Sequence, residues 1–290
     1  MIVVPGPASQ KLGVEIAKLL NVEIAPVTFK TFPDGEVYIR IDKELKNELV
    51  IIVQSTYPPQ DYHLMQLYQM IDAARNSEAE KIILFVPYLA YSRQDKKFLS
   101  GEPLSSRIVC ETIEHLGADE IFVLDIHSEI VLKFFTIPAH NLMALELFGS
   151  YFKELNLINP LIVAPDEGAL EKAKETAKIL NCGSTYICKT RDRHTGEITV
   201  TLKELDVAGR DLIILDDIIS TGGTMAKAIE MAKRQGANRI YAACSHPLLI
   251  QSAKVRILQA GAEDIIGTNS VDSECAKISI ASLFVENFHK

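Results

Sequence analysis

The sequence predicts an α/β protein of two similar domains, each a mainly parallel sheet flanked by helices. Three observations carry this. Apolar strand-like runs alternate with helical runs through almost the whole chain, as successive βα units require. Runs such as residues 212–215, Leu-Ile-Ile-Leu, have no polar interruption, which suits a strand buried on both faces of a parallel sheet. At 290 residues the chain is long for one compact sheet domain and comfortable for two of about 140 residues each.

In the first half, short apolar runs place strands at residues 2–4, 49–54, 81–86 and 120–125. Helical patterns fall between them at 9–20, 62–76 and 104–116. The second half places strands at 161–164, 184–189, 212–216, 239–244 and 264–268, with helices at 169–180, 225–235 and 248–259. The halves also echo each other. Residues 121–128 and 213–220 both read as a strand ending in Asp, then Ile and Ser. On this reading the domains are 1–145 and 146–290, divided somewhere in 141–150, and the first has Glu129-Ile130-Val131 where the second has a Gly/Thr turn.

Composition narrows the function classes. With 48% hydrophobic and 23% charged residues the chain is an ordinary soluble globular protein. No apolar run approaches the roughly 20 residues that span a bilayer, so no membrane partner is expected. The opening Met-Ile-Val-Val-Pro-Gly reads as a first strand rather than a signal peptide. A net charge of −8 argues against a nucleic-acid partner. Five scattered cysteines without Cys-x-x-Cys spacing suggest neither a disulfide framework nor a zinc site, and a cytoplasmic location is the default.

The chemistry concentrates at residues 212–224. An apolar strand ends in Asp216 and Asp217; two more apolar residues lead to Ser220, Thr221, Gly222, Gly223 and Thr224, and a helix follows. Glycines let backbone N–H groups close around a phosphate, hydroxyls add donors, and the helix N-terminus adds partial positive charge. Carboxylates repel phosphate directly, so the acid pair is better suited to sugar hydroxyls or Mg²⁺. Together these groups point to a phosphorylated sugar.

Other polar clusters follow strands, where open α/β sheets place ligands. Arg93, Lys96 and Lys97 offer cationic donors for a polyphosphate, while Gln94 and Asp95 can read hydrogen-bonding groups. Taken alone, that cluster would more often be a solvated loop. Asp125 and His127 end the strand at 120–125, and Asp166 follows the strand at 161–164. Lys189 and Arg191 alternate on one strand that enters a polar hairpin around Gly196, whose return limb is 198–201. Residues 32–36, Phe-Pro-Asp-Gly-Glu, read as a plain turn.

Residues 220–224 resemble the ribose-phosphate-binding loop of the type I phosphoribosyltransferase fold, shared by phosphoribosyltransferases and ribose-phosphate pyrophosphokinases. Tyr-Ser-Arg-Gln-Asp-Lys-Lys at 91–97 closely resembles the pyrophosphokinase signature Tyr-Ala-Arg-Gln-Asp-Lys-Lys, which phosphoribosyltransferases lack. Two sheet domains in one chain are likewise expected of the pyrophosphokinase. The resemblance implies transfer of the diphosphoryl group of Mg-ATP to ribose 5-phosphate. It implies ATP contacts from Phe32, Asp34, Gly35, Glu36, Arg93, Gln94, Asp95 and His127, with Mg²⁺ near His127 and Asp166. Lys189 and Arg191 match the catalytic Lys-x-Arg of a flexible loop, and Arg191, Asp216, Asp217 and residues 220–224 would hold ribose 5-phosphate. The Phe-x-Asp-Gly-Glu loop implies a homo-oligomer in which one chain completes its neighbour's ATP site. Ala169 departs from the family's Pro-Asp-x-Gly-Gly. Two alternatives are a phosphoribosyltransferase that consumes the diphosphate, and a non-catalytic regulatory subunit of the same fold.

Overall fold

A computed structural model of the chain describes residues 1–191, 198–201 and 207–288, with the side chains of Cys188–Arg191 and Ile198–Thr201 outside that description. Two compact units emerge. One is Met1–Met143 with Asn269–Asp272 and Ser279–Lys290; the other is Ala144–Thr268 with Ser273–Ile278.

The first unit runs β1 (Ile2–Pro5), α1 (Gln10–Leu20), β2 (Glu23–Ile24), a hairpin of β3 (Val27–Thr31) and β4 (Val37–Ile41), then β5 (Leu49–Val53), α2 (Gln60–Asn76), β6 (Lys81–Val86), α3 (Ser105–His115), β7 (Glu120–Leu124) and β8 (Ala139–Leu142). Its sheet has the order β2-β1-β5-β6-β7-β8, parallel throughout. The second unit runs α4 (Leu145–Lys153), β9 (Leu161–Ala164), α5 (Leu170–Leu180), β10 (Gly183–Tyr186), a hairpin of β11 (Cys188–Arg191) and β12 (Ile198–Thr201), then β13 (Leu212–Ile219), α6 (Gly223–Arg234), β14 (Ile240–Pro247), α7 (Ala253–Gln259), β15 (Asp264–Thr268) and β16 (Ala276–Ile278), and the chain ends in α8 (Ala281–Phe288), which belongs to the first unit. Its sheet, β10-β9-β13-β14-β15-β16, is also parallel throughout. The central strands are buried along their length, Val50 to Val53 and Leu212 to Ile214 without measurable exposure, which is why their sequences do not alternate.

The two orders are the same order. Matching strands in sequence pairs β1 with β9, β5 with β13 and β7 with β15, and puts a hairpin after the second strand in each unit. The echo between residues 121–128 and 213–220 therefore joins strands that are not counterparts. The counterpart of the Gly/Thr turn is the stretch between β5 and α2, where Tyr57-Pro58-Pro59 precedes Gln60. Proline has no backbone N–H, so two donors of a phosphate cradle are missing there.

Several boundaries differ from the sequence reading, three of them around β11, β13 and α7. The strand expected at 184–189 is two, because the chain leaves the sheet at buried Ile187 and enters the hairpin. The strand expected to end at Asp216 pairs with β14 through Ile219. The helix expected from 248 begins at Ala253, since Leu249 (φ 43°) and Gln251 (φ 57°) are left-handed and Leu249 N–H donates to the Ile219 carbonyl at 3.0 Å.

The chain passes from the first unit to the second at Met143/Ala144, and residues 269–272 and 279–290 return to the first. Helix α4 follows β8 in the chain but packs on α5 in the second unit; the close approach is permitted by Gly149, where an added Cβ would stand 2.4 Å from Ile179 Cγ2. Helix α8 follows β16 but packs on α1 in the first unit. There Phe284 is fully buried, stacked 4.5 Å from Phe85 and edge-on to Phe122 at 5.3 Å.

Candidate active site

Asp166 and residues 220–224 stand beyond the carboxyl ends of β9 and β13, as the topology of open sheets requires. Residues 220–222 turn the chain from β13 into α6. Gly222 occupies the left-handed region (φ 72°, ψ 3°) at the helix start and is buried; no side chain caps the helix. Among the described residues the N–H groups of Thr221, Gly222, Gly223 and Thr224 meet no acceptor, so the first turn presents an uncapped donor set. A Cβ on Gly223 would find nothing closer than Thr221 Oγ1 at 4.0 Å, which leaves open space in front of this turn. Such an end attracts an anion through donors and dipole together.

Asp216 and Asp217 lie inside the paired length of β13. The ladder passes from Asp216–Cys244 to Ile218–His246, and Asp217 falls between. Asp217 N–H donates to Asp216 Oδ1 at 2.9 Å, and Ile218 N–H donates to Asp217 Oδ1 at 2.8 Å. Burial pushes the Asp216 carboxyl up to about 7, and the nearby Asp217 and Asp166 carboxylates push it the same way. Asp166 starts the short turn Glu167–Ala169 after β9, so the structure brings all three carboxylates into one electrostatic neighbourhood. Concentrated negative charge of this kind calls for a cation or for hydroxyl donors. Among the described residues, no group of three or more His, Cys, Asp and Glu side chains is arranged to hold a metal ion by itself.

Lys189 and Arg191 lie on β11, in register with Val200 and Ile198 of β12, and their side chains are outside the described ones. The hairpin tip, residues 192–197, lies outside the described residues altogether.

In the first unit the Arg93 loop follows β6. Arg93, Lys96 and Lys97 are exposed. Gln94 is engaged internally: its Nε2 donates to the Pro103 carbonyl at 3.2 Å, its Oε1 accepts from Ser105 Oγ, and its carbonyl accepts from Ser106 Oγ at 2.6 Å. Its side chain thus fastens the loop to the start of α3. Asp95 accepts from Ser128 Oγ at 2.7 Å, which ties this loop to the one carrying His127 beyond β7. His127 is exposed. Tyr91, left-handed at φ 64°, donates its hydroxyl to Asp61 Oδ1 at 2.5 Å.

Residues 32–36 form the tip between β3 and β4. Phe32 N–H donates to the Glu36 carbonyl at 2.8 Å, Gly35 (φ 96°) N–H donates to the Phe32 carbonyl at 2.9 Å, and Glu36 N–H donates to Asp34 Oδ1 at 3.2 Å. Phe32 remains 39% exposed, edge-on to Tyr38 at 6.4 Å and with Lys30 Nζ 4.6 Å from its ring centre. Sequence reasoning missed the supporting residues Asp61, Ser105, Ser106 and Ser128, whose roles depend on contacts between separate loops.

A parallel sheet of this order, carrying a glycine cradle at the helix that follows an acidic strand end, defines the phosphoribosyltransferase class of domain. Residues 136–260 match the phosphoribosyl transferase domain, and residues 1–117 match the N-terminal domain of ribose phosphate pyrophosphokinase. The ribose-phosphate pyrophosphokinase of Methanosarcina mazei is 43% identical over 285 residues, covering 98% of this chain and 94% of its own. That of Methanopyrus kandleri is 44% identical over 283 residues, covering 97% and 96%. Among solved structures, the phosphoribosylpyrophosphate synthetase from Mycobacterium smegmatis superposes with a TM-score of 0.88 at 31% identity, covering 100% of this chain and 97% of its own. This chain belongs to the ribose-phosphate pyrophosphokinase family. No helix among the described residues is long and apolar enough to cross a membrane.

Proposed function

We propose that the chain transfers the diphosphoryl group of Mg-ATP to the anomeric hydroxyl of ribose 5-phosphate, giving 5-phosphoribosyl 1-diphosphate and AMP. The observation that carries this reading is the unequal pair of counterpart turns. Gly222-Gly223 opens one helix with free donors, while Pro58-Pro59 stands at the same point of the other sheet. One chain therefore offers a single sugar-phosphate cradle and a second, differently built sheet for the phosphate donor.

In this reading, Ser220 to Thr224 hold the 5-phosphate and Asp216 and Asp217 meet the ribose hydroxyls, directly or through a cation. Arg93 and His127 face the triphosphate, while Gln94 and Asp95 act by holding the Arg93 loop, a narrower part than direct ATP contact. The sugar hydroxyl attacks the β-phosphorus and gives its proton to solvent, the bond from that phosphorus to the α,β-bridging oxygen breaks, and AMP leaves with that oxygen. Little covalent chemistry falls to the protein in such a step, so positioning and charge neutralisation supply most of the catalysis. Lys189 and Arg191 are assigned to the charge that develops on the transferring group and the leaving oxygen.

Carboxylates are hard oxygen donors, and Mg²⁺ is usually held by one or two of them with water and substrate phosphates. The crowded acids Asp166, Asp216 and Asp217 suit that role; His127 suits a phosphate or water contact better than direct ligation. Bound there, Mg²⁺ would neutralise polyphosphate charge. We include a homo-oligomer in the proposal, with the tip at Phe32 completing a second chain's ATP site, supported by the exposure of Phe29 and Phe32 on the β3–β4 hairpin. A cytoplasmic location completes it, supported by free Cys110, Cys182, Cys244 and Cys275. Incubation with Mg-ATP and ribose 5-phosphate, without a nucleobase, should release AMP in step with 5-phosphoribosyl 1-diphosphate. AMP release that needs a nucleobase, or none at all, refutes it.

A further inference from the structure

We infer that Arg256, on α7, is a positioning residue for the sugar-phosphate cradle, aiming the Gly222 amide into the site by holding the other end of the same peptide unit. This inference rests on the proposed assignment of residues 220–224 to the 5-phosphate. Arg256 Nη1 donates to the Thr221 carbonyl at 2.5 Å. That carbonyl and the Gly222 N–H belong to one planar trans peptide, in which C=O and N–H point in opposite directions. Fixing the carbonyl toward α7 therefore turns the N–H away from α7. Contacts from the same helix agree. A Cβ on Gly222 would stand 3.0 Å from Ile257 Cδ1 and 3.2 Å from the Ala253 carbonyl, so α7 closes the back of this turn. The front is where Gly223 faces open space.

Gly222 gives the arrangement its weak point. Glycine rotates between conformations that other residues cannot reach, so the peptide preceding it can flip at little steric cost. A flipped peptide would present a carbonyl oxygen to the phosphate and repel it. The guanidinium holds the productive orientation with a charge-assisted hydrogen bond, stronger than a neutral one. Being exposed, Arg256 adds little to the core, so removing it should affect ligand binding more than folding.

The test is steady-state kinetics and calorimetry on Arg256→Met and Arg256→Lys beside the parent. Arg256→Met keeps the stem and loses the donor. KM for ribose 5-phosphate should rise by about tenfold, the scale of one charge-assisted hydrogen bond. KM for Mg-ATP should stay within twofold, and kcat within about threefold. Arg256→Lys, which keeps a donor on a long stem, should recover most of the loss. Arg256→Gln, shorter and unable to span the gap, repeats the removal should the Met variant fold poorly. An unchanged KM for ribose 5-phosphate, an equal rise in both KM values, or failure of Lys to recover more than Gln overturns the inference. A parent enzyme that releases no AMP from Mg-ATP and ribose 5-phosphate overturns the proposed function instead, so the two failures are distinct.

Discussion

Gly222 and Gly223 are adjacent and chemically identical, yet the structure assigns them different work, and substituting each with alanine should separate the two. At Gly222 the backbone is left-handed (φ 72°), a region that costs an L-residue about 1–2 kcal/mol. The new Cβ would also press on Ile257 Cδ1 at 3.0 Å and on the Ala253 carbonyl at 3.2 Å, and the second of these is backbone that moves only with α7. Gly222→Ala should therefore destabilise the second unit by about 2 kcal/mol, lowering its melting transition by roughly 5–8 °C. The turn shifts as well, so ribose 5-phosphate binding weakens. Gly223 is helical, without a left-handed φ, and its Cβ would meet nothing nearer than 4.0 Å. Gly223→Ala should leave stability unchanged or slightly raised, since alanine favours helix by up to about 1 kcal/mol over glycine. Its methyl would instead stand where the phosphate must approach the amides. Gly223→Val enlarges that obstruction and should abolish ribose 5-phosphate binding while Mg-ATP binding persists. Differential scanning fluorimetry and calorimetry with each ligand measure both quantities. Equal destabilisation by the two alanines, or a normal ribose 5-phosphate affinity in Gly223→Val, would refute the argument.

Lys189→Ala and Arg191→Ala should each lower kcat by about 10²–10³-fold with little change in either KM, as expected for groups acting on transition-state charge; turnover within threefold of the parent ends that role. Phe32→Ala should raise KM for ATP more than KM for ribose 5-phosphate, since a stacked ring adds about 0.5–1.5 kcal/mol beyond its buried area; a fully active monomer in sedimentation would contradict the shared site. The Asp216 carboxyl, raised to about 7, holds its proton in the folded state at pH values where the unfolded chain has lost it. Stability without ligand should therefore fall as pH rises from about 4 to 7 and level off above, by the linkage between proton binding and folding. Asp216→Asn should flatten that slope and melt higher than the parent at pH 8; parallel melting curves from pH 5 to 8 would disprove it.

Much of the site was legible because its chemistry is local. A phosphate cradle needs a strand, a tight turn and a helix start in unbroken sequence, and residues 212–224 supply all three. The central strands were legible for the same reason, since burial on both faces leaves an uninterrupted apolar run. What the sequence hid depends on contacts far apart in the chain. Gln94 reads as a ligand-seeking amide, and only the placement of Ser105 and the Pro103 carbonyl shows that one of its N–H groups and its oxygen also fasten the loop. Asp95 is similar, its partner Ser128 lying on the next loop. The position needing a left-handed φ could not be assigned between two neighbouring glycines, because it depends on the path by which α6 meets α7.

The misread echo between residues 121–128 and 213–220 has its own explanation. Asp125-Ile126 follows β7, whereas Asp217-Ile218 falls inside β13, and the two stretches read alike because a strand buried on both faces stays apolar up to its first carboxylate. The true repeat sits elsewhere. Lys18-Leu-Leu-Asn21 closes α1 and Lys178-Ile-Leu-Asn181 closes α5, each Asn left-handed (φ 54° and 50°) and each leading to an edge strand and then a hairpin. From that alignment the hairpin carrying Phe32 and the hairpin carrying Lys189 are counterparts, as are Pro58-Pro59 and Gly222-Gly223. The helices obey it too: α4, after the first sheet, packs on α5, and α8, after the second, packs on α1. Each unit thus closes its sheet with a helix that the other unit's strands lead into. Truncation before Ala281 would for this reason expose Phe85 and Phe122 in the first unit rather than the second, although the deleted helix follows the last strand of the second.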